Sequence, residues 1–106
     1  MAQNRLKIAL AQLNPIVGDV AGNEEKARSA RAEAVRLGAD IVMFTELYLA
    51  GYPTEDLVLK PAFQDACRAA LERLARAALE SKSRISRQLA AAVLSEGGTG
   101  QGALGL

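Results

Sequence analysis

The sequence predicts an α/β fold with parallel strands in β-α-β-α order, and three observations carry that reading. Ile41 to Phe44 is an apolar run with no polar interruption, which suits a short strand covered on both faces. An earlier segment, Leu6 to Leu13 (LKIALAQL), alternates in the manner of a strand. Between the two lies a stretch whose small apolar residues recur at helical spacing. A strand, a crossover helix and a second strand in one sheet are expected to run parallel.

In the first strand, Leu6, Ile8 and Leu10 fall on one face and Ala9, Ala11 and Leu13 on the other. Lys7 sits early enough for its stem to lie along apolar surface while its ammonium reaches water. Asn14-Pro15 ends the strand because proline offers no ladder donor, and Gly18-Asp19 turns the chain. The first helix is expected over Glu24 to Leu37. Asn23 is its candidate N-cap, and Glu24 and Glu25 suit the positive end of the dipole. Ala27, Ala30, Ala34 and Leu37 form a thin apolar stripe, Glu24 and Arg28 can pair four residues apart on the wet side, and Gly38 stops the helix. A second helix is expected over Pro61 to Leu79. Pro61 lies in its first turn, Phe63, Cys67, Ala70, Leu74 and Ala77 share one face, and Glu72 and Arg76 can pair on the other. Beyond Glu80 the chain turns polar and basic, then Ala-rich over Gln88 to Leu94, then glycine-rich. That composition reads as a weak strand or a turn of helix followed by a flexible tail.

The totals bound the function. The 106 residues suffice for one small domain. A net charge of +1 gives no electrostatic case for nucleic acid or an anionic membrane. No apolar run approaches the ~20 residues of a spanning helix, no signal peptide is recognised, and the single cysteine cannot form an internal disulfide. The cytoplasm is the expected location. Histidine is absent, which removes Ser-His-Asp and Cys-His sites and any histidine-bearing zinc site. Catalysis would rest on carboxylates, Lys, Tyr or a thiol.

Glu46 is the residue to explain, because ligand and catalytic groups in open α/β sheets gather beyond the carboxyl ends of strands. Two readings stay open: a loop carboxylate facing solvent, or a proton-transfer group desolvated by neighbours such as Phe44 and Tyr48 and so raised in pKa. Glu55 and Asp56 could suggest a paired-acid site, yet Thr54-Glu55-Asp56 after Pro53 reads more simply as a solvated turn or local cap. Cys67 invites a nucleophile reading, but its helical phase favours a buried structural thiol. Gly97 to Gly102 (GGTGQG) lacks the following helix that a phosphate loop needs.

Three blocks of the sequence, KIALAQLNPIVGDVAGN, GADIVMFTELYLAGYPTEDL and KPAFQDACRAALERLA, together resemble the start of the bacterial glutamine-dependent NAD+ synthetases. The similar region is their amino-terminal glutaminase domain, part of the nitrilase (carbon–nitrogen hydrolase) superfamily. The resemblance covers about the first 78 residues, and Tyr52 to Leu57 favours the synthetase branch. It implies the N-terminal part of a four-layer αββα sandwich in residues 1–80, with 81–106 a divergent Gly-rich tail. It further implies Glu-Lys-Cys chemistry in which Glu46 is the general base and Tyr52 shapes the substrate pocket. Glutamine is the implied substrate, and its ammonia serves the ATP-dependent amidation of deamido-NAD to NAD+ by a separate synthetase domain. That domain would use ATP and Mg2+; no cofactor is implied for this chain, and the full-length family is expected to be homo-oligomeric. The sequence departs from the pattern in three places. Thr45 stands where the family usually has proline, no residue matches the catalytic Lys or Cys (Lys82 and Cys67 lie in the wrong contexts), and Ser81 to Leu106 does not resemble the family's next strand. A truncated or frame-shifted glutaminase fragment, inactive alone, is the resulting expectation. The alternatives are a fragment of another nitrilase-type amidase or a non-catalytic product.

Overall fold

The computed structural model describes residues 5–95. Strand β1 (Ile8–Ala11) is followed by helix α1 (Val20–Arg36), strand β2 (Ile41–Phe44), a short 3-10 helix (Glu55–Leu59), helix α2 (Pro61–Ala78) and helix α3 (Arg84–Ser95). The two strands pair in parallel, with Ile8 opposite Ile41 and Leu10 opposite Met43. The parallel βαβ unit expected from the alternation of patterns is therefore present.

Helix α1 begins earlier than expected. Asp19, not Asn23, is the N-cap, and its side chain accepts a hydrogen bond from the Gly22 amide at 3.0 Å. Val20 starts the helix and is buried against the core. The stop at Gly38 is as expected. Gly38 (φ +80°) donates to the Val35 carbonyl and Ala39 donates to that of Ala34, a Schellman closure that a left-handed glycine permits. Lys7 reaches this same helix end, its Nζ 3.4 Å from the Leu37 carbonyl, where a cation suits the negative end of the dipole.

The core lies between α1, α2 and the segment after β2, and contains Val20, Ala27, Tyr48, Leu49, Ala50, Cys67 and Ala70. Phe44, Phe63, Leu71 and Leu74 pack around it. The Phe44 and Tyr48 rings meet at a centroid distance of 5.0 Å, tilted by 41°, a favourable aromatic geometry. Because the helices present mainly alanine, they leave a cavity of about 260 Å³ against β2, lined among others by Ala27, Ala34, Phe44, Leu74 and Val93.

Two features differ from the sequence reading. The sheet is covered on one face only. Ala9 and Ala11 are half-buried on the helix side, whereas Ile8, Leu10 and Met43 on the other side are exposed. The small residues of β1 face the helices because alanines allow close approach. The region read as a weak strand or turn is the helix α3, packed along α2. It starts where Ser83 hydroxyl donates to the Asp40 carbonyl at 2.7 Å and accepts from the Ser86 amide, so a capping serine and a run of alanines suffice for about three turns. The glycine-rich segment Gly97 to Gly102 lies outside the described residues.

Candidate functional site

Glu46 is placed by what precedes and follows it. Phe44 belongs to β2, and Tyr48, Leu49 and Ala50 are buried in the core. The backbone is thus held on both sides of Glu46 while its side chain stays at the surface. Leu47 takes a left-handed conformation (φ 55°), and the Gly51 amide closes the turn onto the Leu47 carbonyl at 2.8 Å. Glu46 lines a cleft of about 340 Å³ with Asn14, Pro15, Thr45 and Tyr52. The sequence-expected pair, Glu46 and Tyr52, therefore meets in one cleft. The expected desolvation of Glu46 by Phe44 and Tyr48 is not what the structure has: those rings pack on each other, and Glu46 is exposed.

The cleft is built from two loops, one after each strand, and a single side chain joins them. Asn23 is fully buried. Its Oδ1 accepts from the Ile16 amide at 2.8 Å, and its Nδ2 donates to the Ile16 carbonyl at 2.9 Å and the Leu49 carbonyl at 3.0 Å. Asn23 so bonds to backbone groups of both loops, the Ile16 carbonyl also accepting from the Asp19 amide at 3.1 Å. The Gly18 amide adds a direct bond to the Ala50 carbonyl at 3.0 Å, and Lys26 Nζ donates to the Asn14 carbonyl at 2.8 Å. Gly51, at φ +84°, lies so close that a Cβ there would stand 2.5 Å from the Val17 Cα and 2.8 Å from the Ile16 carbonyl oxygen. Only glycine fits.

A second clamp holds the helices. Glu24, expected on the wet side, is nearly buried. It accepts from Arg28 at 3.0 Å, as its spacing suggested, and also from Arg73 of α2 at 2.7 Å and 2.9 Å. The Arg73 guanidinium, helped by Arg28 and opposed by burial, holds the Glu24 carboxyl below its ordinary value. Neither clamp was visible to sequence reasoning. Asn23 looked like a cap because it directly precedes two glutamates, and nothing local announces that Glu24 meets a residue 49 positions away.

The remaining candidates fall elsewhere. Cys67 is fully buried in α2, and burial pushes its thiol pKa up, the opposite of what a nucleophile needs. Asp56 is exposed on the 3-10 helix, outside the residues that line the Glu46 cleft. Lys82 is exposed in the link between α2 and α3. Among the described residues, no group of three or more His, Cys, Asp or Glu side chains could hold a metal ion. Nor is any described helix long and apolar enough to cross a membrane.

A profile of the carbon–nitrogen hydrolases matches residues 7–93, from the start of β1 almost to the end of α3. The chain belongs to the carbon–nitrogen hydrolase family. Its α/β architecture is accordingly of the nitrilase type. Among curated proteins it is similar to the glutamine-dependent NAD(+) synthetase of Rhodobacter capsulatus, with 51% identity over 72 residues, 68% of this chain and 13% of that protein. The synthetase of Thermotoga maritima is 46% identical over 72 residues, 68% of this chain and 12% of the relative. That of Synechocystis is 47% identical over 68 residues, 64% and 12%. This carbon–nitrogen hydrolase chain thus spans about an eighth of the length of the curated relatives it matches.

Proposed function

We propose that this chain is a fragment of a glutamine amidohydrolase domain that supplies ammonia for the ATP-dependent amidation of deamido-NAD to NAD+, with Glu46 its catalytic position. The observation that carries the reading is the joint cleft. In a chain of this family, a carboxylate follows the end of β2 on a rigid turn and shares a surface recess with Tyr52 and Asn14. Tyr52 presents a phenol at the mouth, where it can border the side chain of glutamine. Residues 1–80 would form the start of a four-layer αββα sandwich, in which a second sheet covers the open face of β1 and β2; the divergence expected from residue 81 is not carried over, because the family match runs to residue 93.

In the complete site a thiol is the nucleophile. Glu46 takes the thiol proton, the thiolate attacks the carboxamide carbon of glutamine, and ammonia leaves with a proton to give a thioester. Glu46 then removes a proton from water, which attacks the thioester and releases glutamate and the free thiol. Neither thiol nor lysine comes from this chain, whose single cysteine is buried in α2. The chain is therefore inactive alone. ATP and Mg2+ belong to a separate synthetase domain and to no step at Glu46. The cytoplasm, and homo-oligomers of the full-length protein, fit this assignment.

A chimera tests the reading. Residues 7–78 replace the corresponding segment of the Rhodobacter capsulatus synthetase, and NAD+ formation is followed with glutamine or with ammonium as nitrogen source. Glu46→Gln in the chimera should abolish glutamine-dependent synthesis and spare ammonium-dependent synthesis. Retention of glutamine-dependent synthesis would overturn the role given to Glu46.

A further inference from the structure

We propose that the cavity between α1, α2, α3 and β2 takes a medium-chain alkyl carboxylate, with the chain among the apolar side chains and the carboxylate at Arg31. The cavity measures about 260 Å³ and lies on the helix-covered side of the sheet, among elements that this chain itself supplies. It shares no lining residue with the Glu46 cleft, and the inference is independent of the hydrolase reading.

The two ends of the cavity differ in chemistry. Strand β2 runs from Ile41 to Phe44, so Asp40 marks one end of the wall and Phe44 the other. Ser86 joins the Asp40 end, where its hydroxyl donates to the Asp40 carbonyl. Away from that end the wall is apolar, with Phe44, Ala27, Leu71 and Leu74. Arg31 follows Ala27 by one turn of α1 and precedes Ala34 and Val35 by another, and all four line the cavity. Its Nη2 donates to the Ala77 carbonyl in the last turn of α2 at 3.3 Å. Ala77 lies one turn before Ser81, so the guanidinium belongs to the polar end. It is half-buried, and among the described residues it pairs with no carboxylate. The other polar side chains of the wall are engaged. The Asp40 carboxylate accepts from the Lys7 amide at 2.9 Å, and the Ser81 hydroxyl accepts from the Ser83 amide at 3.1 Å.

A guanidinium on an inward helix face without a carboxylate suits an anion from outside the chain. The apolar depth beside it would strip water from a small inorganic ion without compensation, whereas an alkyl chain gains by entering. Size sets the length of that chain. An apolar cavity of ~150 Å³ already stays dry and admits benzene, and at roughly 30 Å³ per methylene-sized group this one has room for about eight. Octanoate fits on both counts.

Calorimetric titration of the full chain with hexanoate, octanoate and octan-1-ol tests the proposal. Octanoate should bind saturably at one site, about tenfold more tightly than hexanoate because two further methylenes are buried. Octan-1-ol should bind about tenfold more weakly than octanoate, since it offers no charge to Arg31. Arg31→Gln should reduce octanoate to the level of the alcohol and leave the alcohol unchanged. Ala90→Leu, which fills the cavity from α3, should weaken both ligands at least about tenfold with the far-UV circular dichroism retained; if that variant unfolds, the chain-length series and Arg31→Gln still decide. No saturable binding, equal affinity for octanoate and octan-1-ol, or octanoate binding that Arg31→Gln leaves unmoved would each overturn the proposal.

Discussion

Replacing Asn23 should loosen the cleft more than any other single uncharged substitution in α1. Asn23→Ala removes three hydrogen bonds and strands the Ile16 amide and the Leu49 carbonyl, while the Ile16 carbonyl keeps its bond from the Asp19 amide at 3.1 Å. At about 1 kcal/mol net for each of these bonds, the loss is about 3 kcal/mol. A chain of this size has a total stability on the order of 5–10 kcal/mol, so a large part of it is at stake. With a urea dependence of roughly 1–1.5 kcal/mol per M, the midpoint should fall by roughly 2–3 M. Asn23→Asp separates the bonds from the space the side chain fills. Its carboxylate still accepts the Ile16 amide, but an oxygen replaces Nδ2 opposite two carbonyls. Burial and those carbonyls raise its pKa in the folded state. Its penalty is therefore full above that raised pKa and shrinks as pH falls and the carboxyl becomes a donor. Loss of the helical circular dichroism signal in urea, at one fixed protein concentration, is the assay. An Asn23→Asp midpoint equal to that of the unaltered chain at neutral pH would refute the clamp.

Three further outcomes follow from the same geometry. Gly51→Ala should lower the urea midpoint more than Gly38→Ala, since both have positive φ but a Cβ at 51 meets backbone at 2.5 Å and one at 38 meets only the tip of Lys7 at 3.6 Å; equal losses would contradict the close packing of the two loops. Cys67 should react slowly with a thiol reagent in the folded chain and fast in denaturant, because it is buried with a raised thiol pKa; rapid labelling of folded protein would place it elsewhere. Glu24 has a folded pKa below its ordinary value of 4.5, so its contribution is present above that value and is lost as pH falls through the depressed one; Glu24→Gln should flatten this acid limb of the pH–stability curve, and an unchanged limb would assign the loss to other carboxylates.

The order of elements was legible because periodicity changes sharply along this chain. Ile41–Phe44 is too short and too apolar for a surface helix, and Gly38 and Pro61 mark helix ends by backbone geometry alone. Glu46 was legible as a candidate because it follows the end of an apolar strand, whereas Tyr52 entered only through the family resemblance; both line one cleft. The orientation of β1 was not. Alternation separates Ala9 and Ala11 from Ile8 and Leu10, but it cannot say which set meets the helices, and here the smaller one does. Helix α3 was missed because Ser83 finds its anchor at the Asp40 carbonyl, 43 residues away. Asn14 and Thr45 joined the cleft, and Arg73 joined Glu24, only through tertiary approach. A capping preference described Asn23 as a terminus when Asp19, four residues earlier, had already taken that place.

The account holds that this chain carries the base of a glutamine-hydrolysing site without its nucleophile. Ammonia released from glutamine by the purified chain, measured against a no-enzyme control, tests that claim most directly. No release above the control is expected, since Glu46 lies in an exposed cleft and the one thiol is buried in α2. Release that exceeds the control and disappears in Glu46→Gln would show a complete site within these 106 residues and contradict the account.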